Sequence, residues 1–216
     1  MKRRRPSLAS LTLALVVAEG CNKPPTYWPR VLDVPRLEDM PSRRIEDPVA
    51  QAADPYWQRD RQIGLFGEDL LSHRILAVLV RIQNRGERTL VARPSDVLLR
   101  LPDGTRISTA GPSAVASLLQ RRGLYPLSVM SFGIFGTLVT NVAVDRARWD
   151  READLKEKGL PEKLLGPGNT AHGFVLFISP SRVQPFTEAT LEVRFVDVES
   201  GFSFVVPLLL VLHDSN

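Results

Sequence analysis

Between Arg122 and Asp145 the chain carries no charged residue: Gly123 to Val144 reads GLYPLSVMSFGIFGTLVTNVAV. Such a run is long enough for a membrane-crossing helix, which needs about 20 apolar residues. Strand-like segments stand on both sides of it. A single crossing would put those strands on opposite sides of a bilayer, and two crossings need roughly 40 residues. The run is therefore an insertion in a domain, buried against that domain, buried in an oligomer, or laid on a membrane. Gly133, Gly136, Thr137, Thr140 and Asn141 recur at spacings of three and four, which lets helices approach closely. Phe132, Phe135, Val139 and Val142 lie on the other flank. The expectation is a helix, or two half-helices broken near Gly133, packed on the domain as a lid. Phe132, Gly133, Phe135, Gly136 and Val139 form the candidate interaction surface, since a large exposed apolar patch usually marks one.

The segments around the insertion read as β structure. RILAVLVRIQ, 74–83, is β-branched and aliphatic throughout, as a buried strand is. Residues 90–92 and 97–101 follow as strands, Pro102-Asp103-Gly104 as a tight turn, and 105–109 as a short strand. Gly111-Pro112-Ser113 opens a helix with Val115, Leu118 and Leu119 at helical spacing. After the insertion, DRARWDREADLKEK (145–158) favours a helix with a solvated face. Its pairs Glu152/Lys156 and Asp154/Lys158 stand in the favourable i,i+4 order. Phe174, Leu176 and Ile178 share one face of a strand at 171–178. Leu191, Val193, Phe195 and Asp197 share one face of another at 190–198, and the last strand is 202–212. Pro207 gives that last strand an edge position or a bulge. About seven short strands with tight turns point to an antiparallel sandwich.

The N-terminus has the form of an export signal. Lys2 to Arg5 are basic, and Leu8 to Ala18 form an apolar core too short to span a bilayer. Cys21 is the only cysteine, so no internal disulfide forms and its thiol is free or modified. Ala18-Glu19-Gly20-Cys21 resembles the lipobox of bacterial lipoproteins, which implies a diacylated Cys21 as the mature N-terminus. Ala18 and Glu19 depart from the usual leucine and small residue. An ordinary secretory signal with an incidental cysteine is the other reading. Asn22 lacks the aspartate that retains many lipoproteins in the inner membrane, which favours the outer membrane, facing the periplasm. Seven prolines between residues 22 and 60 suggest a semi-stiff tether. The expected organisation is a signal peptide at 1–20, the lipidated cysteine and proline-rich tether at 21–63, and a domain at 64–216 with a helical insertion at 112–158.

The block VLVRIQNRGERTLVARPSDVLLRLPDGTRI resembles the front half of an immunoglobulin-like domain of bacterial envelope proteins. LLGPGNTAHGFVLFISP resembles the Leu-x-Pro-Gly strand signature of the same domains. The resemblance covers about residues 74–212 and implies an immunoglobulin-like β-sandwich and no activity.

Little in the chain points to catalysis. The net charge of +4 includes +3 from residues 1–20, and no basic stripe interleaves with aromatics, so nucleic acid is not an expected partner. His73, His172 and His213 lack metal-ligand spacing. GPGNT, 166–170, lacks the ending of a phosphate loop and precedes a strand, so it reads as a turn. Glu46 and Asp47 fall in the expected tether, where nothing would perturb them. No metal or cofactor is expected. The leading expectation is a non-catalytic envelope lipoprotein, anchored in a membrane and acting on an envelope protein or on itself. The alternative is a lipid or small-molecule carrier with residues 123–144 as its lid.

Overall fold

The computed structural model describes residues 30–121, 148–179 and 188–211. Cys21, the insertion residues Phe132, Gly133, Phe135, Gly136 and Val139, and His213 lie outside them. Within them the chain forms nine strands: β1 (Ser42–Glu46), β2 (Val49–Pro55), β3 (Ile75–Asn84), β4 (Leu90–Arg100), β5 (Arg106–Ser108), β6 (Lys163–Leu165), β7 (Thr170–Ile178), β8 (Glu188–Asp197) and β9 (Ser203–Val211). The helices are α1 (Arg59–Phe66), α2 (Pro112–Arg121) and α3, residues 148–158. All strand pairing is antiparallel. The first sheet has the order β1-β2-β3-β7; the second has β5-β4-β8-β9, with β6 also on β4. Two antiparallel sheets stacked in this way make a β-sandwich. α2 and α3 lie between β5 and β6, where a helical insertion was expected, whereas α1 lies between β2 and β3.

The core between the sheets is filled by inward-facing residues such as Leu76, Val78, Val80 and Ile82 of β3, Leu99 of β4, Phe177 of β7 and Leu191, Val193 and Phe195 of β8. A second cluster lies on the outer face of the first sheet. Ile75, Ala77 and Leu79 of β3 and Phe174 and Leu176 of β7 pack there under Phe66, Val115, Ala116, Leu119 and Leu155 from the three helices. β3 is thus covered on both faces, which is why its sequence is continuously apolar rather than alternating. β8 is covered on one face only and alternates.

Residues 42–63 correct the expected tether. They hold the β1–β2 hairpin and the start of α1, and every residue of β2 is buried. Arg30 to Pro35 already lie against the domain: Arg30 donates to the Gly64 carbonyl and Arg81 donates to that of Pro35. The prolines do not prevent this because they fall at element ends. Pro41 precedes β1, Pro48 lies in the hairpin turn and Pro55 ends β2. Alanines 50, 52 and 53 make β2 thin enough to be covered on both sides.

Two further differences are local. The expected strands 90–92 and 97–101 are one strand, β4, interrupted by a bulge between Ala92 and Val97. The bulge carries Pro94, whose missing N–H suits such an interruption. The helix expected at 145–158 shows a solvated face over residues 148–158, but part of its charge lies on the buried side. Asp154, Leu155 and Lys158 are buried, while Trp149, Ala153, Lys156 and Glu157 face out. Lys158 and Asp154 pair at i,i+4 inside the protein, and Lys158 also donates to the Leu65 carbonyl at 3.3 Å.

Strand edges are attended to by groups from elsewhere. Gln51 donates to the Val206 carbonyl of β9, and Arg44 to that of Pro207, both at 3.0 Å. On the edge of β7, Ala110 donates to Leu176 and Leu160 donates to Phe174. Gly173 makes the second approach possible: a Cβ there would lie 2.5 Å from the Gly159 and Leu160 backbone.

Candidate functional site

Two surfaces stand out among the described residues. The first is a cleft of about 610 Å³ at the uncovered end of the first sheet, lined by Arg30, Val31, Lys156, Glu157, Lys163 and His172 among others. Three separated stretches build it: residues 30–34, 154–163 and 170–172. The extended residues 30–34 form one wall. The C-terminal turn of α3 and the Gly159–Leu160 crossing form the floor, where the Asp154–Lys158 pair is sealed. β6 and the first residues of β7 form the other wall. Lys163 reaches across to donate to the Thr170 carbonyl at 3.1 Å.

The cleft is electropositive. Among the described residues no carboxylate pairs with Arg30, Arg81, Lys156 or Lys163; the bonds that hold Arg30, Arg81 and Lys163 go to backbone carbonyls. Glu157 is the acidic side chain facing them. His172 stands opposite Arg81 across the β3–β7 pair. Its pKa is lowered from 6.5, first by burial and then by the positive charges of Arg81 and Lys163. A neutral imidazole beside unneutralised cations can donate one hydrogen bond and accept another, and the surrounding charge favours an anion.

The second surface is the outer face of the second sheet. No helix of the described chain packs there. Leu164 of β6 and Val205 and Leu209 of β9 point outward and are exposed, as are Val198 and Phe202 in the turn between β8 and β9. Phe202 stacks on Phe204, which stacks on the buried Phe195, at centroid distances of 6.5 and 5.5 Å. Asp197 holds this turn. Arg88 donates to it at 2.9 Å, and the backbone N–H groups of Glu199 and Ser200 donate to its other oxygen. The Arg88 bond foremost, with those N–H groups, holds its carboxyl at about 2, below the ordinary 3.8.

The other residues marked in the sequence have structural places. His73 closes a short helical turn with Nε2 3.7 Å from Glu68. GPGNT is a turn, tied down by Asn84, whose carbonyl accepts from Gly168 and whose N–H donates to Asn169. Glu46 and Asp47 sit at the β1–β2 turn rather than in a tether. Among the described residues no three His, Cys, Asp or Glu side chains gather as a metal site, and no helix is long and apolar enough to cross a membrane. Neither surface was marked in the sequence as a whole. Alternation in β8 and β9 could have located the outer face. The cleft had no local signal, because its residues come from three separate stretches.

The class defined by this fold is an antiparallel two-sheet β-sandwich with a helical cover on one sheet. No protein-family model matches the chain, and no curated protein matches it. Among solved structures it is similar to the yjhA protein of Bacillus subtilis, with 11% identity over 77% of this chain and 96% of that one, at a TM-score of 0.39. It is similar also to the ycdA protein of Bacillus subtilis, described as a putative lipoprotein, with 12% identity and a TM-score of 0.38. That match covers 76% of this chain and 37% of the ycdA chain. A protein of unknown function from Listeria monocytogenes matches at 8% identity, over 79% and 82% of the two chains, with a TM-score of 0.36. Likeness of this degree assigns neither family nor activity.

Proposed function

We propose that the chain is a non-catalytic lipoprotein of the bacterial cell envelope, held to a membrane through acylated Cys21 and acting as an interaction or structural module. The outer membrane, facing the periplasm, is the favoured place. The observation that carries the reading is the uneven covering of the two sheets. The first is buried on its outer face by the helices, whereas the second leaves Leu164, Val205 and Leu209 in solvent. Apolar residues that recur along one outward strand face are suited to a partner surface. The carrier reading is less favoured, because Leu99, Phe177, Leu191 and Phe195 occupy the space between the sheets and are fully buried.

Two measurements test this. Labelling with radioactive palmitate should mark the wild-type chain and not Cys21→Ser, and that variant should leave the membrane fraction; equal labelling of both removes the lipoprotein reading. A photo-crosslinking residue at Leu209 should give one discrete adduct in cells, with a second copy or another envelope protein. A chain that stays uncrosslinked there, and that copurifies with lipid, would support the carrier instead.

A further inference from the structure

The fold shortens the distance between the anchor and the domain. Eight residues separate Cys21 from Arg30, and Arg30 is already bonded to the domain at Gly64. Nine peptide steps reach at most about 30 Å. With Cys21 acylated, Arg30 and the cleft it borders stay within that distance of the lipid headgroups. A tether running to residue 63 would have imposed no such closeness. The anchor therefore selects which surface of the domain meets the bilayer.

That surface has the chemistry of a membrane contact. Lys156, Lys163 and Arg30 line the cleft without carboxylate partners among the described residues, opposed by Glu157. Val31, beside Arg30 in the cleft lining, is 96% exposed. Trp149, 73% exposed, precedes Lys156 by seven residues on α3 and so shares its helix face. A tryptophan next to lysines is the composition favoured at headgroup depth. His172 stands opposite Arg81 across β3–β7, and its pKa is lowered first by burial and then by the charges of Arg81 and Lys163.

Resting on the lipoprotein reading above, we infer that the rim formed by Arg30, Val31, Trp149, Lys156 and Lys163 docks the domain on the anionic headgroups of the membrane that holds Cys21. The occupant is a phospholipid surface carrying net negative charge. The acyl chain holds the protein at the membrane, and the rim fixes its orientation. In that orientation the first sheet's helical side faces the lipid, and the bare face of the second sheet stays available to a partner.

The test uses the chain without residues 1–20 and with Cys21→Ser, so that no acyl group contributes. It should cosediment with vesicles of phosphatidylglycerol and phosphatidylethanolamine, and not with vesicles of phosphatidylcholine. Lys156→Gln and Lys163→Gln should each lower partitioning about five-fold, and the double variant roughly 25-fold. Trp149→Ala should lower it as well, while Arg194→Gln, exposed on the open face of β8, should leave it unchanged. All these positions are exposed, and matching circular dichroism spectra establish that the variants fold. Equal binding to both kinds of vesicle, binding to neither, or undiminished binding by the double variant overturns the inference. Palmitate labelling reads the anchor separately, so either result can fail without the other.

Discussion

The two sheets of this sandwich are built from similar strands and live in different surroundings. The first is a middle layer, with the second sheet below it and three helices above. The second is an outer layer with one face in water. The difference decides what each strand tolerates. In β3 both sets of alternate residues are core, so either set can be damaged by substitution. In β9, Val206, Leu208 and Leu210 are core, whereas Val205 and Leu209 between them contribute to no contact within the chain's core. A sheet buried on both faces is scaffold, and a sheet with a bare apolar face is free to act on something else.

The contrast can be broken most directly under the helices. Lys158→Ala removes the buried cation that pairs with Asp154, which should cost about 3–5 kcal/mol; replacing both by apolar residues should restore most of the loss. Phe174→Ala should cost a similar amount, about 3–5 kcal/mol, because its ring touches Phe66 and Tyr56 at centroid distances of 5.0 and 4.9 Å. Urea unfolding followed by tryptophan fluorescence measures both. If either is neutral, the helices do not seal the first sheet. Gly173→Ala should cost about 3 kcal/mol, since its Cβ would meet backbone rather than a movable side chain.

On the second sheet the effects are smaller. The Asp197 carboxyl titrates near 3.8 when free and at about 2 in the fold. A depressed carboxylate stabilises the fold in full above its unfolded value, and that stabilisation is lost as pH falls from about 4 towards 2. Asp197→Asn should therefore be less stable than wild type at neutral pH, with the gap closing across that window in acid titrations. Arg93→Ala removes an exposed pair with Glu162 and should change stability by less than about 1 kcal/mol. Val205→Ser should fall within about 0.5 kcal/mol, yet abolish crosslinking from the photo-reactive residue at position 209. A large loss of stability there would mean that the face is part of the core.

Much of this contrast was legible in the sequence. The alternation of Leu191, Val193, Phe195 and Asp197 placed β8 with one face in the core, because a half-buried strand writes its burial with period two. The unbroken run 74–83 marked β3 as buried, although it could not say that helices supply the second cover. Pro112 and the spacing of Val115 and Leu119 gave α2. The β1–β2 hairpin was missed because its buried strand is small and polar in composition, Ala-Gln-Ala-Ala-Asp, and because proline number outweighed proline position. The Asp154–Lys158 spacing was visible, but its burial was not, since charge alone argues for water and only tertiary packing opposes it. The basic cleft was illegible for a simpler reason: Arg30, Lys156, Lys163 and His172 become neighbours only when the chain closes.

The contacts from Gln51 and Arg44 to β9 have a consequence for the protein at high density. An outer strand with apolar residues on its open face is a template on which a second chain could add, strand to strand, without limit. Here side chains from the neighbouring sheet occupy the carbonyls of Val206 and Pro207, and proline withholds an N–H from the same stretch. At high concentration such molecules can meet face to face while this stretch of β9 stays closed to strand addition.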